Sequence, residues 1–287
     1  YNCEKYLKEA LDSVYLQTYE NWEIIFIDNC STDNTKKIIS KYDKRIKYYK
    51  TPSNMTLCAA RVFAREFIRG ELFCVLDTDD IWMSTKLEKQ VLEMNKNKNI
   101  GIIYTNTIYF TDFGDEKLAY DEVMPSGNLF KELLENYFFS FETVMVRKSV
   151  MDKHDIYFDS KYSVSSDAEF FTRLAYYTKC LYLNEPLAKW RYGHGSESDK
   201  SLCLFPKEYE IQLSELQKMI KNFDNKYKSS IHNMYGICHW NKDNVKQARK
   251  YFIKAVSRDK KYLIPFIMSF LFKYNQYIKI RKRFKKI

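Results

Sequence analysis

Three carboxylates lie close together in the stretch "ELFCVLDTDDIWM", residues 71–83. Asp77, Asp79 and Asp80 follow an apolar run that predicts a buried strand. Like charges at this spacing repel one another, and a divalent cation would relieve the repulsion. Mg²⁺ prefers oxygen ligands and is commonly held by one or two carboxylates together with substrate phosphates. The stretch therefore predicts a metal and nucleotide site, and solvated loop charge is the alternative.

The elements around these acids alternate between strands and helices. "WEIIFIDN" predicts a strand that ends at Asp28, "TKKIISKY" a helix, "RIKYYKT" a strand and "CAARVFAREFIRG" a helix. This alternation favours an α/β fold with a mostly parallel sheet, whose ligands gather beyond the carboxyl ends of the strands. Asp28 and the Asp77–Asp80 group are both expected at that edge.

Further acids follow in the second half of the same region. "SSDAEFFTRLAYYT" predicts a helix whose first turn holds Asp167 and Glu169, where acids are also common because they complement the helix dipole. "IGIIYTNTIYF" predicts a strand, and "CLYLNEPLAKWRY" predicts a strand pair or hairpin.

From about residue 201 the alternation gives way to helices. The pair of helices predicted over residues 231–259 resembles one tetratricopeptide unit, although a helical hairpin packed on the main domain is the simpler interpretation. The tail from 263 joins ten mostly apolar residues to a cationic end, which suits either an interfacial helix on anionic lipid or a core helix followed by a solvated basic end. We predict a main domain over 1–200, a helical extension over 201–262 and the tail over 263–287.

The positive charge is confined to the last third of the chain. Residues 201–287 carry 20 Lys and Arg against 6 Asp and Glu, whereas residues 1–200 carry 27 against 31. A nucleic-acid enzyme would be expected to carry positive charge around its acidic cleft, so no nucleic-acid partner is predicted.

The seven cysteines show no paired spacing, which favours reduced thiols in a cytosolic protein and argues against a zinc site. No apolar run reaches the length needed to span a bilayer, so we expect a cytoplasmic protein, peripheral on the inner face of the membrane if the tail binds lipid.

Five motifs in order resemble the inverting family 2 glycosyltransferases, which have the GT-A fold: "QTY.N.EIIFID..STDNT", "N....AAR", "GELFCVLDTDD", "SSDAEFF.R" and "WRYGHGSES". The resemblance covers about residues 1–200 and implies a Rossmann-like, mostly parallel sheet flanked by helices, here with a C-terminal all-helical extension. Relatives usually have an apolar strand just before the position of Tyr1, so the first strand is expected to be missing from this chain.

The resemblance also implies a role for each candidate residue. Asp167 would be the general base, and Asp79 and His194 would lie at a Mn²⁺ or Mg²⁺ ion. The donor nucleotide would contact five further residues, Tyr1 and Asp28 at the base, Arg61 at the nucleotide or its diphosphate, Asp77 at the ribose and Asp80 in the supporting loop.

We therefore expect a metal-dependent inverting enzyme that moves a hexose or N-acetylhexosamine from a UDP-sugar to a glycan or lipid-linked acceptor in cell-surface polysaccharide synthesis. The motifs also depart from the family pattern, because Asn29, Cys30 and Ser166 replace its usual residues. A catalytically weakened nucleotide-sugar binding or scaffold protein is the alternative. A nucleotidyltransferase would share the acids, but the chain has no glycine-rich basic loop for a triphosphate.

Overall fold

The chain forms two compact units, Tyr1–Ser196 and Glu197–Ile287. The structure is a computed structural model and describes residues 1–193, 201–221, 223 and 227–284. Division of the helical part at residue 262 stays a prediction.

Strands and helices alternate through the first unit, which confirms the predicted α/β class. Within the described residues the elements are α1 Leu7–Tyr15, β1 Ile24–Asp28, α2 Thr35–Ile39, β2 Ile46–Lys50, α3 Leu57–Ala64, β3 Leu72–Cys74, β4 Ile81–Trp82, α4 Lys86–Lys96, β5 Ile100–Phe110, β6 Glu116–Leu118, α5 Phe130–Glu135, β7 Met145–Arg147, α6 Lys148–His154, α7 Ser166–Ala175 and β8 Lys179–Arg191.

The strands pair in two sheets over the described part of this unit. β1 and β2 form a parallel pair, and the second sheet has the order β3-β7-β5-β8-β4, with β6 on β5. β5 and β8 are parallel, whereas the remaining pairs of the second sheet are antiparallel. Only two of the six described strand pairs are parallel, whereas the sequence predicts a mostly parallel sheet. The alternation of strands and helices along the chain does not show which strands become neighbours.

The segment predicted as a strand pair is one strand, β8. It runs parallel to β5, and the register shifts where Thr105 pairs with Leu183 but the next residue, Asn106, pairs with Pro186. Asn184 and Glu185, which have no partner on β5, form a bulge. The predicted strand pair would need a turn in this segment, but the bulge lets the strand continue past these polar residues.

Helices pack on both faces of the second sheet because side chains alternate along β5. Ile102 and Tyr104 enter a cluster with Phe170 and Phe171 of α7. Ile103 enters a different cluster on the other face, together with Met94 of α4. Layers on both faces explain why the first eight residues of β5 are all buried.

The second unit is helical throughout its described residues. Its helices are α8 Phe205–Met219, α9 Lys228–Asn241, α10 Val245–Val256, α11 Leu263–Leu271 and α12 Tyr274–Phe284. α9 and α10 pack closely at Gly236, where an added Cβ would lie 2.5 Å from the ring of Phe252. The predicted helix pair over 231–259 therefore corresponds to α9 and α10.

Two cysteines of the second unit form a disulfide, so the expectation of seven reduced thiols is wrong. Cys203 and Cys238 have Cα atoms 5.1 Å apart and are 35 residues apart in sequence. Cys3, Cys30, Cys58, Cys74 and Cys180 are free thiols. The pairing depends on how α9 packs against the segment before α8, which cysteine spacing does not reveal.

The two tail helices differ in burial. α12 buries Tyr277 against Trp240, Ala248 and Phe252, whereas α11 buries Ser269 alone. Across the described residues, no helix has the length and hydropathy required to cross a membrane.

Candidate active site

The acid-rich loop joins β3 to β4. The regular strand ends at Cys74, and the chain reaches Asp77 before it turns, with the Asp80 amide donating to the Asp77 carbonyl at 3.1 Å. Asp77 and Asp79 are half-buried, whereas Asp80 is buried. The loop therefore buries the Asp80 carboxylate and leaves Asp77 and Asp79 partly exposed, and the separate roles of the three stay predictions.

Arg61 of α3 joins the loop to the start of α7. Its Nη2 donates to Asp77 Oδ1 at 3.0 Å, and its Nη1 donates to Ser166 Oγ at 3.1 Å. The guanidinium lies over the Phe141 ring, 4.4 Å from its centre, and the side chain is 14% exposed. The structure thus brings the predicted Arg61 and Asp77 together, next to the residue that precedes Asp167.

Asp167 lies in the first turn of α7 and is half-buried. Burial raises the pKa of its carboxyl group, and the positive charge of Arg61 partly opposes that rise. The hydroxyl of Tyr137 lies nearby and is buried. Burial raises the pKa of this phenol, and the negative charge of the Asp167 carboxylate raises it further. The other acid of this turn, Glu169, is paired with Arg173 at 2.6 Å, so Asp167 is the better candidate for proton transfer.

Asp80 is the buried carboxylate of the loop, and its predicted role in supporting the loop stays a prediction. It is 3% exposed, and its Oδ1 accepts a hydrogen bond from the backbone amide of Arg191 at 2.9 Å. Burial raises the pKa of this carboxyl group well above its ordinary value, and the negative charges of Glu142 and Asp77 raise it further.

Arg191, at the end of β8, is a site residue for which the sequence analysis predicts no role. Its Nε donates to the Asp79 carbonyl at 2.9 Å, while its two terminal nitrogens pair with Glu9 and Asp112. The side chain is 5% exposed. The arginine lies in the "WRYGHGSES" motif, which was the available signal, but the motif does not reveal the contact with the loop.

Glu142 is a second residue of the site that the sequence analysis does not predict, because it lies in no recognisable motif. Its side chain is 1% exposed, and its Oε1 accepts a hydrogen bond from Thr107 Oγ1 at 2.6 Å. Its backbone carbonyl accepts a bond from the indole N–H of Trp82, which follows the acidic loop, at 2.8 Å. Burial raises the pKa of Glu142 to about 7.

Asp28 ends β1 and is 2% exposed. Its carboxylate accepts hydrogen bonds from the Ser31 amide, at 2.9 Å, and from the Tyr48 hydroxyl. Burial raises the pKa of Asp28, but these hydrogen bonds outweigh burial and hold the pKa below its ordinary value. Asp28 thus caps the turn after the strand, and contact with a nucleotide base stays a prediction. Tyr1, the other residue predicted at the base, is 62% exposed.

The predicted metal ligands are only partly described. His194 lies outside the described residues, and within the described ranges no group of three His, Cys, Asp or Glu side chains could hold a metal ion. Mg²⁺ in nucleotide sites needs only one or two carboxylates beside the phosphates and waters. The acidic loop has two half-buried aspartates, Asp77 and Asp79, and the role of Asp79 as a metal ligand stays a prediction.

Comparison with known proteins gives the family of the chain. Residues 1–155, which include the acidic loop and Arg61, match the family model described as glycosyl transferase family 2. The match covers more than half of the 287 residues. The chain therefore belongs to glycosyl transferase family 2, which confirms the predicted family.

Two curated relatives are similar over shorter stretches. An uncharacterized glycosyltransferase of Methanocaldococcus jannaschii is 35% identical over 178 residues, which cover 59% of this chain and 60% of the relative. The UDP-Glc:alpha-D-GlcNAc-diphosphoundecaprenol beta-1,3-glucosyltransferase WfgD of Escherichia coli is 32% identical over 153 residues, which cover 53% of this chain and 59% of the relative. The chain spans about 60% of the length of these two relatives.

A solved structure of S. aureus TarS, residues 1–349 in complex with UDP-GlcNAc, has a similar fold. The TM-score is 0.65 at 17% identity, and the match covers 97% of this chain and 89% of that one. This similarity confirms the predicted GT-A type of fold.

Proposed function

We propose that this protein is an inverting glycosyltransferase that moves a hexose or N-acetylhexosamine from a UDP-sugar to a glycan or lipid-linked acceptor in cell-surface polysaccharide synthesis. The observation that carries the proposal is the double contact of Arg61, which bonds to Asp77 and to Ser166 beside Asp167. One side chain thereby joins the proposed donor-binding loop to the proposed base.

The choice of donor and acceptor is supported by the names of similar proteins. The Escherichia coli relative is named for a UDP-glucose donor and a diphosphoundecaprenol-linked acceptor. TarS was solved with UDP-GlcNAc. We transfer the uridine donor and the lipid-linked acceptor to this chain as part of the proposal.

The proposed chemistry is a single displacement at the anomeric carbon. An acceptor hydroxyl attacks from the face opposite the leaving nucleotide, and Asp167 takes the proton of that hydroxyl as the new bond forms. Burial raises the pKa of Asp167 and so makes the carboxylate a stronger base than an exposed aspartate. Arg61 lies between this base and Asp77, where its positive charge would stabilise the negative charge that gathers on the departing diphosphate.

We further propose that Asp79, with His194, holds Mn²⁺ or Mg²⁺. A bound divalent ion would neutralise charge on the diphosphate of the donor. Asp77 and Asp80 would act beside it, the first at the ribose and the second by keeping the loop attached to β8 through the Arg191 amide.

The test measures UDP release by the full chain with UDP-glucose or UDP-N-acetylglucosamine, Mn²⁺ and a diphospholipid-linked sugar acceptor. Asp79→Ala should abolish transfer and weaken donor binding, whereas Asp167→Asn should lower transfer about 10²–10⁴-fold and keep donor binding. Asp121→Asn, a change at an exposed loop residue, is the matched control and should leave both unchanged.

A thermal-shift screen with UDP, GDP and dTDP sugars tests the donor separately. Stabilisation by uridine nucleotides alone is the expected result. Donor binding without transfer to any acceptor would favour the nucleotide-sugar binding protein. If no uridine nucleotide stabilises the chain, the proposed donor and the role of Asp28 are both wrong.

A further inference from the structure

The outer face of α11 is apolar and exposed. Its exposed side chains, with the exposed fraction of each, are Leu263 42%, Ile264 66%, Ile267 47%, Phe270 55% and Leu271 65%. At about 100° per residue these five positions fall within an arc of about 120° on the helix. They form one continuous surface, which we call the α11 face.

The opposite side of α11 is anchored to the second unit. Phe266 and Met268 pack against the cluster around Trp240 and Phe252. Arg249 of α10 donates to the Ser269 carbonyl at 2.9 Å, and at the edge of the α11 face its guanidinium lies 3.8 Å from the centre of the Phe270 ring. These contacts fix the rotation of α11, so its apolar surface is held outward within the unit.

The chain around this face is strongly basic. Residues 245–284 contain twelve Lys and Arg but a single acid, Asp259. Exposed lysines lie directly before and after α11, at Lys260, Lys261 and Lys273. A second copy of the chain would bring this charge against itself, whereas a negatively charged lipid surface would complement it.

We propose that the α11 face is a membrane-surface site, at which α11 lies in the headgroup region of an anionic bilayer and the flanking lysines contact lipid phosphates. A helix of nine residues is about 13 Å long and cannot span a hydrocarbon core of about 30 Å. Its apolar face can instead enter the upper part of the acyl region while the basic flanks remain among the headgroups. The proposal assigns α11 to the lipid and leaves α12 in the core of the unit, where Tyr277 is buried.

The experiment is co-sedimentation of the full chain with unilamellar vesicles, either of phosphatidylcholine alone or of equal parts phosphatidylcholine and phosphatidylglycerol. We expect binding to the anionic vesicles at low salt and weaker binding at high salt, because salt screens the lysines. Ile264→Ser with Leu271→Ser should weaken binding to anionic vesicles about tenfold or more, since each change removes an apolar side chain from the lipid. Both positions are exposed, so the melting temperature should not change.

Two further variants distinguish lipid contact from a general surface effect. Leu92→Ser with Val123→Ser alters two exposed apolar residues of the first unit and should bind as the unmodified chain does. Lys260→Glu with Lys273→Glu should also lose about tenfold in binding to anionic vesicles, through electrostatics alone.

Several results would overturn the proposal: an unmodified chain that stays in the supernatant with anionic vesicles, or α11 variants that bind as well as it does. A third result would assign the face to a second copy of the chain instead. In that case the unmodified chain does not bind vesicles, light scattering shows that it is a dimer, and the Ile264→Ser, Leu271→Ser variant is a monomer. All of these readouts are independent of sugar transfer, so a failure here would leave the proposed enzymatic function untouched.

Discussion

Arg61 Nη2 and Asp77 Oδ1 lie 3.0 Å apart, so a helix residue and a residue of the acidic loop form an ion pair at the proposed donor site. Asp77 was predicted to hold ribose hydroxyls, and Arg61 was predicted to face the nucleotide. The pair indicates that the two residues act together, with Arg61 fixing the direction of the Asp77 carboxylate.

Replacing Arg61 should therefore weaken donor binding. Arg61→Ala removes the contacts to Asp77 and Ser166, and we expect UDP-sugar affinity to fall about tenfold or more, since a hydrogen bond to a charged group contributes about 1.5–3 kcal/mol. Arg61→Lys should be intermediate because lysine keeps the charge but not the two-pronged geometry. Isothermal calorimetry with UDP measures both.

Arg65 provides the control for these variants. It lies four residues further along, pairs with Asp155 and is half exposed. Arg65→Ala should leave UDP affinity unchanged, and equal losses in the Arg61 and Arg65 variants would contradict the pairing argument.

Asp167→Asn should lower kcat about 10²–10⁴-fold without loss of UDP binding, because an amide cannot accept the proton of the acceptor. The active form is the carboxylate, and burial raises the pKa of this group. The kcat of the unmodified enzyme should therefore fall as the pH drops through that raised pKa, at a higher pH than an exposed aspartate would show. A pH profile of kcat measures this, and retention of the same acid limb in the asparagine variant would exclude Asp167 as the base.

Glu142 should make the free energy of unfolding depend on pH. Its folded pKa of about 7 exceeds its ordinary value of 4.5, so the folded state keeps the proton to a higher pH than the unfolded state does. Stability from this group is present below about pH 4.5 and declines as the pH rises to about 7. Glu142→Gln stays neutral, so its melting temperature relative to the unmodified protein should increase between pH 5 and pH 8.

Glu132→Gln, at an exposed position of α5, is the control for this measurement. The change in melting temperature between the two pH values, relative to the unmodified protein, should be larger for Glu142→Gln than for this control. A pH-independent difference for Glu142→Gln would show that Glu142 does not titrate in this range.

The cysteines give a direct chemical test of the second unit. Alkylation of the denatured, unreduced protein should add five groups, and alkylation after reduction should add seven, because Cys203 and Cys238 form a disulfide. Mass spectrometry of the intact chain distinguishes the two counts. Closing a loop of this length contributes about 4 kcal/mol in the chain-entropy account, so Cys203→Ser with Cys238→Ser should also lower the melting temperature. Seven additions without reduction would contradict the pairing.

The sequence predicted features that depend on neighbouring residues better than those that depend on distant ones. Apolar periodicity located α3, β5 and α7, and spaced motifs selected Arg61 and Asp77, which the structure brings together. The merging of residues 179–191 into one strand depends on pairing with β5, some 80 positions earlier. The site contacts of Glu142 and Arg191 likewise join segments far apart in the chain, and no local pattern records such contacts.

The contacts of Arg191 also bear on the order of folding. The Arg191 guanidinium donates hydrogen bonds to Glu9, to Asp112 and to the Asp79 carbonyl. Glu9 and Arg191 are 182 positions apart in the chain. Loop closure over such separations is slow and becomes favourable only when the intervening elements are in place. A nascent chain interrupted before β8 would already contain the acidic loop but not the arginine that binds it at Asp79 and Asp80. Competence to bind a donor would thus arise as one of the last events in folding of the first unit.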